Sequence, residues 1–253
     1  MNKILVISKN TFKEAIRDRI LYAILGFALL FIVSTIFFGS ISLGEDLKII
    51  RDFGLAGIYI FGLIITIFLG TSLIYKEIEK RTIHTVLSKP VSTRDFILGK
   101  FLGLFLSVSL TIILMAAVYL IVVAAKGGGF DSRGLLAILY QLFETMVFIS
   151  LTILFSSFAR PFAAMIYSIL IVFIGHSLSL LAKYGNKTDG AFKYISVILY
   201  YALPNLEKFN IRNLVVHSGQ ISFSRTMLAF LYAILFSAIL LILANSALKR
   251  QEF

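Results

Sequence analysis

Two ionisable side chains stand inside otherwise apolar stretches of this sequence. Glu144 is the only acidic residue and His176 the only histidine within such a run. A charged side chain at the centre of a membrane helix costs about 2.5–3.5 kcal/mol on insertion scales, so Glu144 must be paired or protonated. The pair offers two kinds of chemistry: a gate or contact for a transported substrate, or a hydrogen bond that locks two helices. Ser107 and Thr111, one helical turn apart, are expected to bond to their own backbone. No other constellation is reactive. The chain has no Cys, which excludes disulfides, thiol catalysis and thiolate metal centres. No phosphate-binding loop is present, because Gly99-Lys100 runs into Phe101 and lacks the upstream glycine. No His-Glu-x-x-His or other clustered acids and histidines suggest a metal, and Gly70-Thr71-Ser72 has no base within reach by sequence. The chain is therefore not expected to be an enzyme or to hold a cofactor of its own.

The elements that must position Glu144 and His176 follow from composition. Of 253 residues, 59% are apolar and 15% charged, with 24 Phe, and the mean hydropathy is +0.95. Soluble domains carry about 45–50% apolar and about 25% charged residues, so disorder, a nucleic-acid-binding domain and a soluble enzyme are excluded. The net charge of +11 then reads as basic loops beside lipid headgroups rather than a nucleic-acid surface. Crossing the hydrocarbon takes about 20 residues. Six runs qualify: 20–38, 53–75, 101–125, 135–158, 161–182 and 226–248. Continuous apolar runs exclude the alternating pattern of a barrel. The expected fold is an all-α integral membrane protein, one domain over 1–253, with both termini on one side. Glu144 and His176 lie on consecutive antiparallel spans at depths differing by roughly 4–5 Å, close enough to meet.

Orientation follows from Lys and Arg. With the N-terminus inside, inner segments hold fourteen of the 24 basic residues and are also the shorter ones. Both termini are thus expected in the cytoplasm, with the first apolar run retained rather than cleaved as a signal. Residues 11–19 read as a short interfacial helix begun by a Thr11–Glu14 capping box, or as an extension of the first span.

The inner loop from Lys76 to Lys100 carries the most information. Ile83, Val86 and Leu87 recur at helical spacing after Thr82, a good cap, and Pro90 ends the turn. Ser92 and Asp95 begin the next helix, which enters the third span through Gly99-x-x-x-Gly103, a pattern permitting close helix contact. A short helix with an apolar stripe, held below the membrane by two spans, is suited to docking a soluble partner; a solvated basic loop would need neither the stripe nor the caps.

Glu77-x-Glu79-x-Arg81-Thr82-Ile83-x-x-Val86-Leu87-Ser88-Lys89-Pro90, followed by Gly99-Lys100, resembles the signature of ABC-2 type exporter permeases, including the branch similar to the permease of nitrous-oxide-reductase maturation. The resemblance implies a cytoplasmic coupling helix between the second and third spans, seated on a separate ATPase subunit that binds ATP and magnesium. It assigns ATPase coupling to Glu77, Glu79, Arg81, Thr82, His84, Val86, Leu87, Pro90 and Lys100. Many members have Gly at the place of Arg81 and an acid at that of His84. It further implies a second permease copy or a related permease, a plasma-membrane location in the lipid bilayer, and short outer helices over the exit of the pathway. In this chain 183–225 is long for a connection. Its 191–203 run is too short to span and reads as a re-entrant or interfacial helix ending at Pro204, over a pathway or as a packing cap. Rival functions are a secondary transporter or channel, which usually shows repeats and more midplane charges, and an intramembrane enzyme.

Overall fold

Asp18 accepts a hydrogen bond from the Ile20 amide, and with that cap the first long apolar run becomes a helix. Ser92, Asp131 and Ser222 start three later helices in the same way, accepting from the amides of Asp95, Gly134 and Arg225. The computed structural model describes residues 3–41, 44–79, 92–185, 187, 190–216 and 221–250. Among them the elements are α1 (Lys3–Ile16), α2 (Arg19–Ser40), α3 (Asp46–Glu79), α4 (Thr93–Ala125), α5 (Ser132–Ser156), α6 (Pro161–Gly185), α7 (Ala191–Ala202), a 3-10 turn (Leu206–Phe209), α8 (Arg212–Val216) and α9 (Phe223–Lys249). Six are long and apolar enough to cross a membrane: α2, the Asp46–Leu73 part of α3, α4, α5, α6 and α9. They coincide with the six expected spans, and several extend past them into charged sequence. A charged residue ends an apolar run without ending a helix.

The N-terminal helix differs from expectation. It begins at Lys3 rather than Thr11 and ends at Ile16. Thr11 is no cap; it lies within the helix and is buried, together with Ser8 and Ala15. The reason is packing. Ser8, Thr11 and Ala15 share one face, and that face lies on α4 where Gly99 and Gly103 bring the backbones together. A Cβ at Gly99 would lie 2.6 Å from the Ile7 Cβ, and one at Gly103 would lie 2.6 Å from the Ser8 carbonyl oxygen. Glu14, released from capping, has its carboxylate 3.8 Å from the buried Lys100 ammonium. A large side chain cannot enter this seam. Gly103→Leu is expected to push α1 off α4 and cost about 1–3 kcal/mol, the usual penalty of overpacking. Faster proteolysis within residues 3–16 and a lower unfolding temperature in detergent would register it.

α5 is the centre of the bundle, with buried residues around most of its circumference. α3 and α4 pack against it, whereas α2 and α6 are peripheral and leave Phe27, Leu30, Phe162 and Phe173 exposed. At the end of the bundle where α2 meets α3 and α4 meets α5, which we call the distal end, a polar clamp joins three spans. The Tyr119 hydroxyl donates to Asp131 Oδ2 at 2.5 Å, Arg51 Nε lies 3.4 Å from the same oxygen, and Arg51 also donates to the Gly128 carbonyl. The Tyr119 ring fits only because Gly54 has no side chain, since a Cβ there would come within 2.6 Å.

The distal end is covered by the 203–216 segment. Leu206, Phe209, Ile211 and Val215 are its buried apolar anchors, and Leu206 rests against Gly175 of α6. The Asn205 amide donates to the Tyr232 hydroxyl at 2.8 Å, fastening the segment to α9. α7 stops at Ala202, two residues before Pro204, and exposes Phe192, Tyr194, Ile195, Ile198 and Tyr201.

Candidate functional site

Glu144 and His176 come together, as their depths allow. Three spans and the covering segment supply the groups around them: Tyr59 from α3, Gln141 and Glu144 from α5, His176 from α6, Glu207 from the 3-10 turn, and Asn210 and Arg212 after it. His176 Nε2 lies 2.9 Å from Glu144 Oε1 and 2.5 Å from the Tyr59 hydroxyl. That hydroxyl donates to Glu144 Oε1 at 3.3 Å. On the other side of the ring, His176 Nδ1 lies 3.3 Å from Glu207 Oε2. Asn210 Nδ2 donates to both Glu207 oxygens, and Arg212 Nε donates to Asn210 Oδ1. The Arg212 guanidinium stacks over the Tyr59 ring, 4.0 Å from its centroid, a favourable cation–π placement.

The arrangement is graded in burial. The Glu144 side chain is 3% exposed, that of His176 22% and that of Glu207 40%, so the network runs from the bundle interior outward. Gln141, one turn before Glu144, donates to the Ile58 carbonyl at 2.9 Å, and Gly62 provides the room for its amide. Tyr59, Gln141, Glu144, Asn210 and Arg212 border a cavity of about 10 Å³, the space of one water. His176 uses opposite ring nitrogens for its two carboxylates, so the three groups do not converge on one point. No group of three or more His, Asp or Glu among the described residues could hold a metal ion. What the network does is tie the covering segment to three spans.

The loop residues fall elsewhere. Glu77 and Glu79 belong to the last turns of α3; Arg81, Thr82, His84, Val86, Leu87 and Pro90 lie outside the described residues. Lys100 is 1% exposed, enclosed between α1 and α4, with the Phe96 ring centroid 5.9 Å from its nitrogen. Ser107 and Thr111 donate to the carbonyls of Gly103 and Val108, both at 2.8 Å. Sequence reasoning missed Tyr59, Gln141, Glu207, Asn210 and Arg212. One signal was available for Gln141, which shares a helix face with Glu144 at i, i+3 spacing. Another was the placing of Glu207, Asn210 and Arg212 among the apolar Leu206, Phe209 and Ile211.

Six apolar helices, with buried polar groups linking spans to a covering segment, define a multi-pass α-helical membrane protein. The family model described as ABC-2 family transporter protein matches residues 5–253, and the chain belongs to that family. It is the permease component of an ABC transporter, a membrane part that works in general with an ABC ATPase subunit. No curated protein matches the chain.

Proposed function

We propose that this permease forms half of the translocation pathway of an ATP-driven exporter, in the branch similar to the permease of nitrous-oxide-reductase maturation. A second copy or a related permease supplies the other half. A separate ATPase subunit binds ATP and magnesium and seats the 82–88 helix in a cleft; both termini are cytoplasmic, in the plasma membrane, and α1 lies along the inner surface. The observation that supports this reading most is how α3 and α4 bracket the loop. α3 continues through residues 74–79 beyond its apolar stretch, which ends at Leu73, and α4 begins at Thr93 under the Ser92 cap. α3 therefore runs past its apolar stretch on the side of the termini, and with the start of α4 it acts as a lever on residues 80–92.

Closure of the ATPase pulls this loop and, through α3 and α4, shifts the spans between inward-open and closed or outward-open states. Lys100, held between α1 and α4 and near Glu14, passes the movement to α1. At the distal end the Glu144–His176–Glu207 network holds the covering segment in place in the closed state. The test is affinity purification of the tagged chain in mild detergent. An ATPase with a phosphate-binding loop and a second permease chain are expected to co-purify, and flux in vesicles should require ATP. Flux driven by a proton or sodium gradient without ATP would instead establish a secondary transporter.

A further inference from the structure

We infer that the cleft between α4 and α9 is a binding site for an anionic glycerophospholipid, with the headgroup at Arg94 and Lys249 and the acyl chains along the apolar walls. The cleft has a volume of about 770 Å³, within the usual size of small-molecule sites. Its two walls are built alike. On α4, Arg94 in the first turn is followed at helical spacing by Leu98 and Leu102; on α9, Lys249 in the last turn is preceded by Asn245, Ile242 and Leu241. Each wall is cationic at the proximal end, beside the termini, and apolar deeper in the membrane. That is the profile of a phospholipid read from headgroup to tail.

Charge decides which lipid. Both cations are exposed, no acidic residue lines the cleft, and neither cation has an ion pair among the described residues. Arg94 also stands at a helix N-terminus, where the backbone dipole disfavours a cation, so its placement gains nothing from its own helix. Asn245, one turn from Lys249, adds a polar side chain to the same wall of the cleft. A second copy fits poorly. A two-fold interface opposes the patch to itself, so Arg94 and Lys249 would meet no acidic residue in the cleft of the other copy. A phosphodiester meets both cations with opposite charge.

The assignment rests on the membrane reading of the six helices and on no aspect of ATPase coupling; with cytoplasmic termini, the leaflet is the inner one. The chain has no Trp, which permits a local test in reconstituted bilayers. Ile242→Trp places a single reporter in the cleft, and Phe173→Trp places a control on exposed α6; the native residues are 64% and 74% exposed. Quenching by brominated phosphatidylglycerol is compared with quenching by brominated phosphatidylcholine. The cleft reporter should favour the anionic lipid by roughly five- to thirtyfold, the preference that one or two basic groups near a headgroup confer. The control should show a ratio near one. Adding Arg94→Gln and Lys249→Gln should abolish the preference without lowering the unfolding temperature. Equal ratios at the two positions, or a preference that survives loss of both cations, would overturn the site. Quenching at the control but none in the cleft would also overturn it, because a protein surface then covers the groove. If neither reporter is quenched, the membrane reading itself fails.

Discussion

Leu87→Asp is expected to strip the ATPase from the purified permease while the six spans still insert and assemble. Ile83, Val86 and Leu87 recur at helical spacing in a stretch of sequence otherwise rich in charge, and a solvated loop would gain nothing from such a pattern. Burying Leu87 against a partner contributes about 1.5–3 kcal/mol, the scale of an interface hot spot. Its loss alone weakens association by roughly 10- to 150-fold, and an unpaired carboxylate in the same pocket adds its own desolvation cost. Leu87→Ala should therefore fall between wild type and Leu87→Asp. The measurements are ATPase co-purification and substrate-stimulated hydrolysis, with gel filtration in detergent to show that the variant permease is monodisperse. Wild-type retention of both by Leu87→Asp would remove the docking role from this loop and leave the ABC permease without its proposed contact.

The contrast between what was readable and what was not has physical causes. A membrane helix must bond its own backbone and be apolar for about 20 residues, so the six runs marked six helices without any periodicity. Helix ends carry no such constraint. Lys76 to Glu79 are as comfortable in a water-exposed helix as in a loop, and the span boundary at Tyr75 therefore misses the last turn of α3. Thr11 and Glu14 satisfy the spacing of a capping box, but the same residues fit a continuous helix equally well. Burial of Ser8 and Thr11 on Gly99 and Gly103 selected the second arrangement. The two glycines announced a close contact, while nothing local could say that its partner is the N-terminal helix rather than another span.

Depth counting found the Glu144–His176 pair because consecutive spans are antiparallel neighbours with known rise. The same arithmetic stops where a span ends. Glu207 and Arg212 reach the site only because Leu206, Phe209, Ile211 and Val215 fold the covering segment back onto the bundle, a tertiary event with no counterpart in span-by-span reading. Tyr59 was passed over because a tyrosine in an apolar run is ordinary. Its significance lies in facing His176 and Glu144 at once, and in carrying Arg212 on its ring.

Glu144→Ala is expected to destabilise the bundle and loosen its distal cover, whereas Glu144→Gln should keep both the fold and most of the transport. The carboxylate accepts from the Tyr59 hydroxyl and meets His176 Nε2; alanine removes this buried acceptor and leaves Tyr59 and His176 with each other and Glu207. Leaving a buried polar group unsatisfied costs about 1–3 kcal/mol. Interhelical hydrogen bonds within membranes are worth less, about 0.6–2 kcal/mol, so the Ala variant should unfold at a lower temperature yet still insert. Glutamine can set its carbonyl oxygen at the Oε1 position, where it accepts from the Tyr59 hydroxyl and from a His176 Nε2–H, at the same length as the native side chain. Coupling is the sharper test. If the residues act as one lock, a double-mutant cycle with His176→Ala should show an interaction of about 0.5–3 kcal/mol, and Glu207→Ala should free the 203–216 segment to proteases while sparing the Glu144–His176 bond. Full loss of transport in Glu144→Gln at an unchanged unfolding temperature would reverse the assignment, because transport would then need the carboxylate itself and not the helix lock.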